Sequence, residues 1–352
     1  MELKEREEFK FEPLDLGIFY HRVLDGLLKQ LNLKKKDFAT IQDEELLELL
    51  REQISEFVQR DSFISNFVRH SAHNTFIVSS AAEVLEDCVV AIAKMVRGGS
   101  FKPAMSEVSF GQVKDTPGMF GEYKLSLSDG RVVFLDGKID RLDTAEVDGE
   151  KIAIIFDYKK RRDRAFNWSK FYYGLDMQLP IYMLAVRGGS KSQYKIRETA
   201  GGFYMPVEVS PTKTTLDELS KRTESFAYKA KGIFNGKFAG QLDKAASMDS
   251  NFYNFYVTKD GEPYGNYGNR GVLKPSDFEK VLRFTEKKIV ELAEEILSGK
   301  IDVEPYRLGS ESPCGNCKYK SVCRFDWQIN DYNPLVSLRK LQVLEKMGTV
   351  DG

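Results

Sequence analysis

Histidine and cysteine are scarce in this sequence, with three of the first and four of the second in 352 residues. Three of the cysteines, Cys314, Cys317 and Cys323, fall within ten residues of one another. That crowding argues against a disulfide framework in a reducing compartment and for a metal or cluster site. Charge of one sign is missing too. Lys plus Arg number 52 and Asp plus Glu 53, so no global positive field draws in nucleic acid, and any such contact must come from a local patch. No apolar run reaches the length needed to cross a bilayer, and the first eight residues, Met1 to Glu8, are too charged for a signal peptide. A cytoplasmic chain without a membrane partner is expected. Neither a G-x-x-x-x-G-K-[S/T] loop nor a G-x-G-x-x-G turn occurs, which excludes a nucleotide motor and a dinucleotide site. There is no repeat of 20 to 50 residues.

What is present is a chain long enough to bury one large α/β core with insertions. Apolar residues recur near the helical period over residues 14 to 31, 43 to 59 and 74 to 97. His21 lies in the first of these helices, and Cys88 sits among the apolar residues of the third, where a thiol packs as a small hydrophobe. After Gly98-Gly99 the pattern turns strand-like, over 108 to 111, 123 to 127, 132 to 135 and 152 to 156. The last two are expected to pair with each other. Further on, a helix is expected over 169 to 187, a strand over 200 to 207 and an amphipathic helix over 214 to 231. Residues 236 to 270 should be irregular, and a helix capped by Ser276-x-x-Glu279 should run from 276 to 297.

Three local patterns carry chemistry. Asp157 and Lys159 are two apart on a strand and so share a face. Asp140, at the end of the neighbouring strand, adds a second carboxylate. Such a set can hold a divalent metal beside a lysine that meets a scissile phosphate. Glu107 either faces the same place from an adjoining strand or is an ordinary exposed carboxylate. Gln178 and Tyr182 lie four apart on one helical face that should pack on the sheet, where polar groups need partners. Lys160, Arg161 and Arg162, followed by Phe166 and Trp168, are either a solvated loop or a strip that neutralises phosphates and stacks on a base.

Together these residues resemble the RecB-type branch of the PD-(D/E)XK nucleases, and within it the AddB-type nuclease domain of AddAB helicase-nucleases. Gly17 to His21 is similar to the family's G-x-x-x-H helix, Gly137 to Arg141 to its G-x-I-D-R strand end, and Asp157-Tyr158-Lys159 to its D-Y-K. Tyr173-Gly174-Leu175 through Gln178 and Tyr182 resembles its Y-G-L helix, Ala200 to Tyr204 the strand after it, and Cys-x2-Cys-x5-Cys its closing block. The resemblance implies a mixed central sheet flanked by helices, all in one nuclease domain. Residues 1 to 100 would form a helical part with His21, 101 to 210 the catalytic core, 211 to 300 an insertion and 301 to 352 an iron-sulfur tail. It implies Mg2+ or Mn2+ held by Asp140, Asp157, His21 and the Tyr158 carbonyl, with Lys159 at the attacking water and Gln178 and Tyr182 lining the site. DNA would be contacted by Arg141, Lys160, Arg161, Arg162 and Trp168. The activity would be exonucleolytic hydrolysis of DNA single strands supplied by an AddA-like helicase-nuclease subunit during double-strand-break repair and recombination.

The resemblance further implies a [4Fe-4S] cluster on Cys314, Cys317 and Cys323. The family pattern takes a fourth cysteine from upstream of the G-x-x-x-H helix, and none stands there in this sequence. The expectation is a fragment of a longer chain; the alternatives are Cys88 as the fourth ligand, or a zinc site completed by His70 or His73. A Cas4-like stand-alone exonuclease and a non-catalytic DNA-binding or scaffold module are the rival functions.

Overall fold

The computed structural model describes residues 13–113, 116–161, 165–188, 194–209 and 227–348. Four helices come first: α1 (Pro13–Leu33), α2 (Asp43–Arg60), α3 (Ser62–His70) and α4 (Ala72–Gly98). Asp43, Glu44 and Glu45 occupy the first turn of α2, where carboxylates meet the positive end of the helix dipole. Asp61 accepts the Ile64 N–H and Ser71 the Asn74 N–H, so each break is also the cap of the next helix.

The strands are β1 (Lys102–Phe110), β2 (Gln112–Val113), β3 (Thr116–Pro117), β4 (Tyr123–Ser126), β5 (Val132–Leu135), β6 (Gly137–Val147), β7 (Glu150–Arg161), β8 (Ile196–Glu208), β9 (Lys231–Asn235) and β10 (Val272–Leu273). Six of them form one sheet in the order β1-β6-β7-β8-β9-β10. The sheet is mixed: β7 with β8 and β9 with β10 are parallel, and the other neighbours antiparallel. The parallel β7–β8 step needs a crossover, which α5 (Trp168–Tyr172) and α6 (Gln178–Gly188) supply.

Strand β7 has a different core on each face. Ile152, Ile154, Phe156 and Tyr158 pack with α1 to α4, whereas Ala153 and Ile155 pack with α5, α6 and the later helices. Asp157 and Lys159 continue the second set, so strand parity alone sends them toward α6. Glycine lets α6 sit close. A Cβ on Gly202 of β8 would lie 3.3 Å from the Leu179 Cβ, tighter than ordinary contact.

Downstream come α7 (Ala239–Leu242), α8 (Pro275–Leu297), β11 (Tyr306–Leu308), α9 (Lys320–Cys323), β12 (Asn333–Leu335) and α10 (Lys340–Gly348), with β11 and β12 paired. Lys340 is buried, and its ammonium donates to the carbonyls of Tyr267, Arg270 and Val272, which pins α10 to the loop before β10.

Several expectations change. Residues 132 to 135 pair with β4 in a separate hairpin, and it is β6 that pairs with β7 across the Asp148-Gly149 turn. Asp148 and Gly149 both have positive φ, the geometry of a two-residue hairpin turn. The helix expected over 169 to 187 is two helices, because Gly174 turns the chain at φ +74°. Pro180 thereby falls in the first turn of α6, where its missing N–H costs nothing. Ser276 does not cap α8, since Pro275 already occupies its first turn and Lys274 is the cap residue. The helix expected over 214 to 231 lies largely outside the described residues; its last residue, Lys231, begins β9.

Arg141 is the main correction. Expected at a DNA surface, it is 2% exposed and points into the first core. Its guanidinium grips Asp143 with two hydrogen bonds of 2.8 and 3.1 Å, donates to the Tyr158 hydroxyl at 3.1 Å and lies 4.0 Å from the centre of the Phe156 ring. Burial pushes the Asp143 carboxyl up, and the guanidinium beside it opposes that shift. Removing one member of such a pair strands the other charge. Asp143→Ala is therefore expected to cost about 3–5 kcal/mol of stability in urea denaturation, and an unchanged midpoint would contradict this reading.

Candidate active site

Three elements converge at the ends of β6 and β7. From α1, His21 sits at the edge of a face otherwise buried through Phe19, Tyr20, Val23 and Leu24. Its Nδ1 lies 3.1 Å from Asp140 Oδ1 and 3.9 Å from Glu107 Oε1. The ligand atoms of His21, Glu107 and Asp140 all fall within 4.8 Å of one another, the one such group among the described residues. Burial disfavours the imidazolium, yet the hydrogen bond to Asp140 and the charges of Asp140, Glu107 and Asp157 outweigh it, so the pKa of His21 is raised.

Glu107 holds its place through its backbone. Its φ is +51°, left-handed for a residue inside a strand. The β1–β6 register passes over the Glu107–Asp140 pair while keeping those on either side. A non-glycine residue in this region is strained and persists only where surroundings hold it. The consequence is a carboxylate turned out of the ladder toward His21, with Lys138 paired to its other oxygen. Sequence reading left Glu107 open because its distinguishing feature is a dihedral angle.

Asp140 also ties the two strands together, since its Oδ2 accepts the Tyr158 N–H at 2.7 Å. The Tyr158 ring turns into the first core but still packs edge-on against His21, and its main chain adjoins the site.

Asp157, Lys159, Gln178 and Tyr182 form the second half. The Gln178 amide donates to Asp157 Oδ1 at 2.6 Å and to the Tyr182 hydroxyl at 2.9 Å, and its oxygen accepts from the Lys159 ammonium at 3.2 Å. One turn of α6 thus uses both ends of the glutamine to hold both members of the D-x-K pair. Asp157 is 3% exposed. The Lys159 ammonium is ion-paired with its buried Oδ2 at 2.5 Å. Burial, and then the nearby Asp140 charge, push the Asp157 carboxyl up to about 6, against the pull of Lys159 and His21. Tyr182 packs edge-on against Phe110, and burial pushes its hydroxyl up to about 12.

Asp157 is not a member of the tight group with His21, Glu107 and Asp140. The two halves meet through Asp140, which reaches His21 with one oxygen and the backbone beside Asp157 with the other. The residues fit a hard divalent cation: one imidazole and two carboxylates within reach of one another, with the Asp157 carboxylate on the neighbouring strand.

Other expected residues lie apart. Lys160 pairs with Glu208 at 3.7 Å, and Arg161 ends β7. Arg162 lies outside the described residues. Trp168 is half-buried, with Phe166 and Phe171 set edge-on against it. Cys314 stands in a one-turn 3-10 helix, Cys317 just after it and Cys323 at the end of α9, all as free thiols. They do not gather into a group within 4.8 Å with one another or with His70 or His73, a span that tetrahedral zinc sulfur sites need. Cys88 is fully buried, and that burial pushes its thiol up to about 12, which disfavours the thiolate a cluster requires.

The sequence profile of the PD-(D/E)XK nuclease superfamily matches residues 1–324. The chain belongs to that superfamily. Its mixed sheet with helices on both faces is the fold class the resemblance implied, and the D-x-K strand is the motif after which these nucleases are named. This PD-(D/E)XK chain is similar to proteins of the AddB type, each named as a subunit of an ATP-dependent helicase/deoxyribonuclease. The one from Clostridium botulinum strain Loch Maree is 29% identical over 98% of this chain and 30% of its own length. That of Caldanaerobacter subterraneus subsp. tengcongensis is 30% identical over 100% and 31%, and that of Natranaerobius thermophilus 32% over 94% and 28%. The chain thus spans under a third of the curated relatives it matches. No helix among the described residues is long and apolar enough to cross a membrane.

The site's electrostatics make a stability prediction for the metal-free PD-(D/E)XK chain. A carboxyl raised from 3.8 to about 6 is protonated more readily in the folded state, so the contribution of Asp157 to stability is fully present below about pH 4 and is lost as pH rises through about 6. The shift corresponds to about 3 kcal/mol at most. Asp157→Asn should therefore raise the thermal midpoint of the metal-free protein near neutral pH, with the gap closing toward about pH 4. A less stable variant at neutral pH would refute this account of the buried charge.

Proposed function

We propose that this chain is the nuclease domain of an AddB-type protein and hydrolyses phosphodiester bonds of DNA single strands delivered by an AddA-like helicase partner in cytoplasmic break repair and recombination. The observation that carries this reading is Lys159, held between Asp157 and Gln178 beside the group of His21, Glu107 and Asp140. A lysine on the same strand face as a carboxylate that borders a cation site can do two things for phosphate. It can orient the attacking water, and it can steady the negative charge that grows on the phosphoryl oxygens.

His21, Glu107, Asp140 and Asp157, with the Tyr158 carbonyl, would hold Mg2+ or Mn2+, which supplies Lewis acidity and lowers the pKa of bound water. The chain's own residues set the geometry. Asp140 fixes the Tyr158 peptide by accepting its N–H. Gln178 accepts a hydrogen bond from the Lys159 ammonium, and Tyr182 in turn accepts one from Gln178. Similarity to the relatives named helicase/deoxyribonuclease over nearly the whole chain favours DNA as substrate and a helicase as partner over a Cas4-like enzyme.

Incubation with linear single-stranded DNA and Mg2+ tests the reading. The unaltered chain should degrade the DNA, and Asp157→Ala and Lys159→Ala should each lower the rate by about 100-fold or more. DNA binding that survives Asp157→Ala with no cleavage by any protein across a metal titration would point instead to a non-catalytic module.

The three thiols of residues 314 to 323 would supply three ligands of a [4Fe-4S] cluster in the longer protein, soft sulfur being the usual donor. Anaerobic reconstitution of the chain extended upstream should load iron and acid-labile sulfide, and Cys317→Ala should abolish the loading. Equal iron content in both proteins would remove this assignment.

A further inference from the structure

Lys159 has a third neighbour, to which the sequence reading gave no role. Its ammonium lies 5.3 Å from the centre of the Tyr204 ring, within cation–π range. Tyr204 is the register partner of Asp157 across the parallel β7–β8 ladder, so both side chains stand on the α6 face of the sheet. It is 2% exposed. Its hydroxyl, 3.2 Å from Asp176 Oδ1, donates to that carboxylate. Asp176 lies in the turn between α5 and α6, two residues before Gln178. The contacts therefore close a ring: Lys159 to Gln178, along the chain to Asp176, to the Tyr204 hydroxyl, and through the ring face back to Lys159.

We propose that Tyr204, fixed by Asp176, is a positioning residue that holds the Lys159 ammonium in its working place. This rests on the nuclease reading for its consequence but not for its geometry. A lysine side chain has four rotatable bonds and a compact, strongly hydrated charge, so two polar contacts at one end leave it free to swing toward solvent. Lys159 is partly open to solvent. An aromatic face within cation–π range adds a third restraint without adding a competing hydrogen-bond acceptor. The Asp176 bond keeps the ring from rotating away, and it couples the entry of α6 to β8. Displacing a catalytic group by about an ångström costs up to about 100-fold in rate, so this restraint bears on turnover rather than on DNA affinity.

The experiment compares Tyr204→Leu, Tyr204→Phe and Asp176→Ala with the unaltered chain, alone and in a Lys159→Ala background. Tyr204→Leu should lower kcat by about tenfold with KM within about twofold, and Tyr204→Phe, which keeps the ring, should lose about threefold or less. In the Lys159→Ala background Tyr204→Leu should cost nothing further. The second readout needs no cleavage. In lysine-labelled protein the NMR signal of the Lys159 ε-methylene, assigned through Lys159→Arg, should be displaced upfield by the ring current. It should keep that position in Tyr204→Phe, weaken it in Asp176→Ala and lose it in Tyr204→Leu. An equal fold-loss in both backgrounds, or an ε-methylene signal indifferent to Tyr204→Leu, overturns the proposal. If Tyr204→Leu does not fold, Asp176→Ala decides on the same two readouts. A signal that moves as described in a protein that cleaves no DNA would uphold the positioning and refute the nuclease reading.

Discussion

A carboxylate buried at the end of an apolar strand is costly, and the architecture around β7 follows from keeping Asp157 there. Parity along the strand gives it the α6 face, where Ala153 and Ile155 precede it in a dry core. One of its oxygens is met by Gln178, and the other by the Lys159 ammonium alone. An interior normally neutralises or pairs such a group. Here Lys159 partly offsets the charge, and the remaining negative field falls at the edge where His21, Glu107 and Asp140 gather. Stability is given up at a place suited to a cation.

The contrast with Arg141 and Asp143 shows why this is a matter of function rather than of charge alone. That pair is buried as deeply, on the other face of the sheet, yet its contacts are made internally: two hydrogen bonds between partners, one to Tyr158 and a ring beneath the guanidinium. It leaves nothing for a ligand to satisfy. Arg141 and Asp140 are neighbours in sequence, and strand geometry sends one into the core and the other to the site. In the G-x-I-D-R segment the aspartate and the arginine therefore do different work.

This also explains what the sequence could and could not disclose. Spacing rules of two on a strand and four on a helix brought Asp157 to Lys159 and Gln178 to Tyr182, because those periods are fixed by backbone geometry. The mixed sheet and its flanking helices followed from the order of strand-like and helix-like patterns. Glu107 was left open, since its role depends on a left-handed backbone at +51°. Arg141 was misplaced because composition treats an arginine beside a metal motif as a phosphate contact, and burial depends on which side of β6 carries the core. The strand at 132 to 135 found β4 rather than β7 because apolar content says that a segment pairs but not with which partner. Tyr204 had no signal beyond a strand tyrosine until register set it opposite Asp157.

The position of Gln178 depends finally on chain far from it in sequence. Helix α5, which leads into α6, is gripped along one short stretch by the segment after β11. Lys170 pairs with Glu311, the Tyr173 hydroxyl donates to the Val336 carbonyl, and Ser169 exchanges hydrogen bonds with the backbone of Leu338, 169 residues away. Lys340 then fastens the following helix to the loop before β10. The cysteines at 314, 317 and 323 lie between the first of these contacts and the rest. A tail that looks peripheral in sequence is thus tied by hydrogen bonds to the helix that leads into α6.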